Sequence, residues 1–469
     1  MNIEERIQNV ISPERCFPTD IQLGKLRSNQ AFIESLSYIE LLRESQYWSA
    51  EVIERIRVER LKKLLRSISE TSEFWANHFN RYGLNLNAIH STDVIRRLPV
   101  MRRKTIVGLG EKIYVLNQET ERRQMFTRYT SGTGGLPMKL MFDQMQVIVS
   151  ALIYRFRHPA FDKISLSELL QRKFFVALAL PGDRHVFDPD FTSYTFHPLS
   201  PYDLQRPSVR RQIYDKIVEA GPALLAGYAS LIKTFAQLAA EDNVTLPLLA
   251  VRLASDGITK DDRIFVERTL NAPVLNLLSS NGASLIGFEC PENMGFFHLN
   301  AERLLLEILD DEGNPVPPGE EGELVVTALD HTVTPIIRYG ILDTGRLIPE
   351  KCPCGRTLPL FEFYGRRGHE VKLPSGKAVK VIYIHNELQF RLDLRLKVLQ
   401  FQIRQESLNK LRLLMNPRIP FTAKDESNIR QTLRDLLYGE RIDVDLEYVD
   451  HIPPSPGGKP RMFVPLGEN

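Results

Sequence analysis

The run from Thr130 to Pro137, TSGTGGLP, gathers three hydroxyls and three glycines into eight residues and closes on a proline. Glycine lets the backbone take positive φ and come close to a ligand. Successive amide N–H groups in such a loop, with hydroxyls beside them, form a concavity that suits phosphate oxygens. The same residue types also build ordinary turns. On this stretch alone both readings stay open, and the rest of the chain has to separate them.

The elements that would carry such a loop can be traced by periodicity. From about Ser35 to Phe79 apolar residues recur at three- and four-residue spacing, as in Ile53, Ile56, Leu61, Leu64 and Leu65, which predicts helix. The run RKFFVALALPG (172–182) reads as a buried strand ending in a Pro-Gly turn, and PALLAGYASLIKTFAQLA (222–239) as a strand followed by a helix. Leu304 to Leu329 has the form strand, polar Gly/Pro connection, strand. After Gly365 the texture changes. A hairpin around Ser375-Gly376, a helix in IYIHNELQFRL, strands in VLQFQIRQES and KLRLLMNP, a helix ending at Gly439 and a last strand in IDVDLEYVD make a unit of about a hundred residues. The predicted division is a large domain, 1–364, and a small one, 365–469.

A chain of 469 residues exceeds one compact core. Hydrophobic and charged contents of 43% and 25% are ordinary for a globular protein. A net charge of +2 gives no case for nucleic acid or an anionic membrane as the main partner. No run approaches the ~18 apolar residues of a membrane span, and the start, MNIEERIQNV, lacks the apolar core of a secretory signal. Four cysteines do not make a disulfide framework at this length, so the expected location is the cytoplasm.

Four stretches fall in a meaningful order: TSGTGGLP (130–137), GEEGELVVTALDHTVTPIIRYGILDTGRL (319–347), YGRRGHEVKLPSGK (364–377) and PSPGGKPRMFV (454–464). Together they resemble the adenylate-forming superfamily, in its phenylacetate–CoA ligase-like branch. The resemblance implies an α/β fold: a large N-terminal adenylation domain of sheets flanked by helices, and a small mobile α+β C-terminal domain. It implies that a small carboxylic acid is joined to the AMP part of ATP, and that the acyl group then passes to a nucleophile, usually the thiol of coenzyme A. Joining a carboxylate to an anionic α-phosphate demands positive charge and N–H donors. By the resemblance, Ser131, Gly132, Thr133, Gly134 and Gly135 cradle the β- and γ-phosphates. Asp343 stands where the family's YRTGD aspartate accepts hydrogen bonds from the ribose hydroxyls, and Arg366 joins it at the nucleotide. Lys459 is the catalytic lysine brought by the small domain to bridge carboxylate and phosphate. Ser255, Asp256 and Gly257 occupy the place of the loop that stacks on adenine.

Some members of this branch carry a structural zinc. The matching residues here are Cys290 and His298 in ECPENMGFFH and Cys352 and Cys354 in KCPCGRT. Three thiolates and an imidazole make a closed four-coordinate set that suits Zn²⁺ and leaves no open position for catalysis. The plainer alternative is buried free cysteine beside a surface histidine. Cys16 reads as a bystander.

Three departures from the family matter. The loop lysine is replaced by Leu136. The glutamate that holds Mg²⁺ is replaced by Gly282, with Asn281 offering only a neutral oxygen. The hinge aspartate becomes Gly368-His369, and glycine still permits rotation. These losses weaken the handling of ATP and its Mg²⁺ more than they weaken the fold. Three functions therefore stay in view: an acid–CoA ligase, a degenerate ligand-binding member without turnover, and an adenylating enzyme with an amine or carrier-protein acceptor. An aromatic acid is favoured by family association alone, and Tyr228 is the one residue singled out as an acyl-pocket wall. The sequence leaves the oligomeric state open, a homodimer included.

Overall fold

The computed structural model describes residues 2–12, 37–116, 125–129, 138–143, 203–254, 260–280, 282–388, 394–453 and 461–467. It also describes 146–147, 149–150, 157–158, 161, 175–178, 192–196, 199, 201, 258 and 392. Two strands, β1 (Met125–Tyr129) and β2 (Lys139–Asp143), form an antiparallel hairpin in which Tyr129 faces Lys139. The glycine-rich run 130–137 is the connection of that hairpin and lies outside the described residues.

The strands that follow build one eleven-stranded sheet. They are β3 (Phe175–Leu178), β4 (Thr192–Phe196), β5 (Ala223–Tyr228), β6 (Leu248–Ala254), β7 (Val274–Ser280), β8 (Ser284–Glu289), β9 (Phe296–Leu299), β10 (Leu304–Leu309), β11 (Gly322–Ala328), β12 (Tyr339–Ile348) and β13 (Leu360–Arg366). Their spatial order is β10-β11-β12-β13-β9-β8-β7-β6-β5-β3-β4. The half from β4 to β7 is parallel and the half from β7 to β10 is antiparallel. The sequence explains the change. Parallel strands need crossovers, and helices Pro207–Ala220, Ala229–Glu241 and Lys260–Leu270 supply them between β4 and β7. Beyond β7 the connections shorten, and Ser280 to Ser284 suffices to turn β7 back as β8. Every residue of β5 is buried, as a strand covered on both faces requires.

The helical region 35–79 is broken where periodicity alone predicts continuity. Helices run Ser37–Ser45, Ala50–Thr71 and Glu73–Arg81. The first break has a tertiary cause: Thr357 donates its N–H and its hydroxyl to the Gln46 carbonyl at 2.8 and 3.0 Å, and Arg356 Nε reaches Gln46 Oε1 at 2.8 Å. The second has a local cause, since Ser72 ends one helix and caps the next, its side chain accepting from the Trp75 N–H. Ile53, Ile56, Leu61, Leu64 and Leu65 are all buried, as their spacing predicts.

A separate C-terminal sheet domain follows, with its own apolar cluster that includes Val371, Met415, Ile429, Leu433 and Phe463. The hairpin β14 (Glu370–Lys372) and β15 (Ala378–Lys380) turns at Ser375-Gly376. Strands β16 (Val398–Ser407), β17 (Lys410–Pro417), β18 (Asp443–Tyr448) and β19 (Phe463–Val464) form a sheet in the order β18-β17-β16-β19. Helix Ala423–Leu436 starts with a capping box between Thr422 and Asp425. Gly439 follows it at φ +70, the left-handed position that glycine fills without strain. IDVDLEYVD is therefore not the last strand: β19 pairs in parallel with β16 after the GGK segment, through Ile403 and Arg404. Two residues of strand are too few for a periodicity signal, so only the long-range pairing reveals them. Arg418 at the end of β17 holds Glu241 of the large domain through two bonds of 2.9 and 2.7 Å, and Lys380 pairs with Glu321. Among the described residues, no helix is long and apolar enough to cross a membrane.

Candidate active site

The site is assembled from strand ends. In an open α/β sheet, ligands bind beyond the carboxyl ends of the parallel strands. Here β5 ends at Tyr228, β6 at Ala254 just before Ser255, and β7 at Ser280 just before Gly282. Tyr228 is buried at the start of helix Ala229–Glu241. Ser255, Asp256 and Gly257 lie outside the described residues, as do Ser131, Gly132, Thr133, Gly134, Gly135, Leu136, Asn281 and Lys459. The strands that flank them are described, and so is the far anchor of the Lys459 segment. Ile403 N–H donates to the Met462 carbonyl at 2.9 Å, and Gln402 Nε2 donates to the Arg461 carbonyl at 2.9 Å.

Asp343 and Arg366 are direct cross-strand partners in the β12–β13 register, although 22 positions separate them in the chain. Both are half-buried. Desolvation pushes the Asp343 carboxyl up to about 6; the Arg366 guanidinium pulls it down, and Glu323 adds to the rise. Tyr339, at the start of β12, links this pair to the turn after β7. Its phenol is raised by desolvation and feels Arg103, Arg366 and Asp343. A Cβ added at Gly282 would lie 3.3 and 3.4 Å from the Tyr339 ring and 3.8 Å from Ile336 Cδ1. Gly282 is thus a shallow recess against an aromatic wall, where the family pattern would place a carboxylate. Sequence reasoning passed over Tyr339, although it sits four residues before Asp343 in the same run.

His331 closes the rear of this turn. It is fully buried, its Nε2 lies 3.3 Å from Ser284 Oγ, and Phe142 meets its ring edge-on at 5.4 Å. Burial, helped by Arg303 and Arg128, drives its pKa down to about 3, so the ring is neutral at physiological pH. Ser284 itself sits at φ +58, an uncommon conformation for a residue with a side chain.

The second predicted cluster is complete among the described residues. Cys290 follows β8, His298 lies in β9, and Cys352 and Cys354 lie in the connection from β12 to β13. Because β8, β9 and β13 are sheet neighbours, residues 64 positions apart converge. All four ligand atoms lie within 4.8 Å of one another. Cys290 Sγ is 3.5 Å from Cys352 Sγ, and Cys354 Sγ is 3.2 Å from His298 Nε2. Bonds of about 2.0–2.3 Å from a central ion to such ligands require this kind of spacing. His298 is held neutral by burial, with Arg356 and Arg157 acting the same way and the Leu358 backbone opposing, which brings its pKa to about 4. A neutral imidazole is the form that ligates a metal. Burial pushes the Cys290 thiol up to about 12 and raises Cys352 as well. Burial would also raise Cys354, but hydrogen bonds from the Arg356 backbone and side chain outweigh it and lower the thiol. The donor set and its enclosure fit a four-coordinate zinc.

Residues 374–465 match the family described as the CapK C-terminal domain. Protein CapK of Staphylococcus aureus is 22% identical over 422 residues, covering 87% of this chain and 88% of that one. Phenylacetate–coenzyme A ligase of Thermus thermophilus is 24% identical over 316 residues, covering 66% and 68%. Among solved structures, 2-hydroxyisobutyryl-CoA ligase in the postadenylation state, in complex with R3-HIB-AMP, superposes with a TM-score of 0.71 at 16% identity, covering 91% of this chain and 93% of that one. The chain is thus homologous to phenylacetate–CoA ligase, carries a CapK-like C-terminal region and has the fold of CoA ligases of the adenylate-forming superfamily.

Proposed function

We propose that this protein activates a carboxylic acid as its acyl-adenylate and passes the acyl group to coenzyme A. The observation that carries the reading is the Asp343–Arg366 pair, held in register on β12 and β13, with Tyr339 of β12 walling the turn after β7. Asp343 accepts the ribose hydroxyls, and Arg366 supplies cationic charge at the nucleotide. The loop Ser131–Gly135, hung on the β1–β2 hairpin, supplies N–H donors to phosphate. Ser255–Gly257, at the end of β6, flanks the adenine. Lys459, carried on the segment anchored by β19, neutralises charge as carboxylate oxygen bonds to the α-phosphorus and pyrophosphate leaves. The small domain, 365–469, acts as the lid, turning about Gly368-His369. Zinc, held by Cys290, His298, Cys352 and Cys354, is structural and takes no part in the chemistry. An aromatic acid is the preferred substrate class, because the homologous phenylacetate–coenzyme A ligase bears such an acid in its name.

ATP–pyrophosphate exchange across a panel of carboxylic acids tests the first step, and adding coenzyme A tests the second. A second reading is favoured by one observation: at Gly282 no side chain fills the place of the magnesium carboxylate, and Tyr339 walls the recess. On that reading the protein binds a nucleotide or acyl ligand without turnover. Exchange with none of the acids, combined with tight AMP binding, selects it. Exchange that proceeds without release of acyl-CoA points instead to an amine or carrier-protein acceptor.

A further inference from the structure

Beside Asp343 the structure holds a three-residue ionic cluster that the nucleotide reading does not use. Glu323, on β11, is buried with only 3% of its surface exposed. Its carboxylate is gripped from two sides: Arg102 Nη1 bonds Oε1, and Arg367 Nη1 lies 3.2 Å from Oε2. Arg367 also pairs with Asp311, and its backbone N–H donates to the Leu342 carbonyl at 2.7 Å. Leu342 takes φ +64 and is 41% exposed, an uncommon state for a leucine, immediately before Asp343. A buried carboxylate is costly unless it is paired. Here the pairing bridges the segment 98–102, strand β11 and the residue after Arg366.

Gly340 makes this arrangement possible. An added Cβ there would collide with the Arg102 guanidinium and the Glu323 carboxylate. In the motif YRTGD, counted back from its aspartate, position 340 is the arginine and position 342 the glycine. This chain has glycine at 340 and leucine at 342. The space beside Gly340 is occupied by the Arg102 guanidinium. The Arg102 segment is itself fixed to β12, because Met101 pairs with Tyr339, Met101 N–H donates to Arg338 at 2.8 Å, and Gly340 N–H donates to Met101 at 3.1 Å.

We propose that Arg102 is a positioning residue: through Glu323 and Arg367 it holds the Asp343–Arg366 strand pair in register, in the space that Gly340 leaves open. Its nucleotide consequence rests on the function proposed above, whereas the clamp itself does not. Arg102 touches no reacting atom. It restrains the strand end on which the nucleotide carboxylate sits and the residue that follows the nucleotide arginine.

The test uses the full-length protein as Arg102→Ala, Gly340→Arg and the double variant, with two readouts. With Arg102 removed, the close atom left beside a Cβ at 340 is Glu323 Oε1, the end of a side chain that has to shift to admit an arginine. Amide hydrogen exchange is read at residues 343, 344, 365, 366 and 367 against amides of the β16–β17 pair in the C-terminal sheet as an internal reference. AMP affinity is read by calorimetry. Arg102→Ala is expected to speed exchange at the five amides selectively and to weaken AMP binding about tenfold, on the scale of a typical coupling between sites. The double variant is expected to recover both, and Arg102→Lys to keep part of each. Unchanged exchange in Arg102→Ala, or a double variant no better than the worse single one, overturns the clamp. Wild-type protein that shows the exchange pattern but does not bind AMP leaves the clamp standing and overturns the nucleotide reading.

Discussion

The Cys/His cluster and the Asp343–Arg366 pair are both made by neighbouring strands of one sheet, yet they are built in opposite ways. Cys290 and His298 are wholly buried, Cys352 nearly so, and the four donors face one another with Leu360 and Phe296 packed around them. Asp343 and Arg366 are half-buried, and the residues proposed to complete their site follow β1, β6 and β18 in the chain, outside the described residues. A permanent ion needs a closed donor set and gains from rigidity. A nucleotide that enters and leaves needs an open strand end and movable loops, even at a cost in local stability. The two regions share a sheet, so the difference lies in what covers each one.

The largest effect is expected at the closed cluster, because structural zinc contributes directly to folding free energy. Purified protein should hold about one zinc per chain by elemental analysis. Cys352→Ser should lose the ion and melt at a clearly lower temperature, with no loss of AMP affinity in the fraction that remains folded. Full stability and zero metal in the wild type, purified without chelator, would remove the contrast between the two regions.

At the open site, Lys459→Ala should slow adenylation by roughly 100-fold or more, the scale of losing one electrostatic contact made in the transition state. Thioester formation from a supplied acyl-adenylate should fall much less. Equal losses in both half-reactions would show that Lys459 acts by supporting the lid and not by stabilising developing charge.

Asp343 gives a pH signature. Its folded-state pKa, about 6, is raised by desolvation above the ordinary carboxyl value of 3.8. The folded protein therefore binds more protons than the unfolded chain between those values, and this group's contribution to stability falls as pH rises through that window. Nucleotide binding runs the other way, because the ribose hydroxyls donate to the ionised form. AMP affinity should rise by about tenfold from pH 5 to 7, in line with a hydrogen bond to a charged group, and should lose that dependence in Asp343→Asn. Calorimetry at several pH values checks it, and a flat wild-type profile contradicts the ribose assignment.

The smallest effect is expected from restoring the depleted phosphate site. Gly282→Glu with Leu136→Lys should strengthen Mg²⁺-dependent ATP binding by a few-fold, since charge pairs near a protein surface are screened by water and salt. The gain is limited by geometry: a side chain at 282 has to move the Tyr339 ring, which a Cβ would approach to 3.3 Å. Tight, Mg²⁺-dependent ATP binding by the unaltered protein would show that another group already does the work assigned to a glutamate at 282.

The sequence by itself determined the chemical inventory and most local structure. The alternation around Ser375-Gly376, the amphipathic spacing before Phe79 and the Gly439 cap are short-range signals, and short-range backbone preferences produced those elements. The order of four motifs pointed to the superfamily, and that resemblance, not the residue types alone, pointed to a metal at 290, 298, 352 and 354. Only the tertiary structure decided what meets what. Thr357 breaks the N-terminal helical region at Gln46 from more than three hundred positions away, and β19 finds β16 across a loop. The β12–β13 register sets Asp343 against Arg366, Tyr339 fills the space before Gly282, and Arg102 reaches Glu323 across Gly340. The reason is physical: such contacts form between residues distant in the chain, and they are fixed by packing and by the pairing of buried charge, which no window along the sequence records.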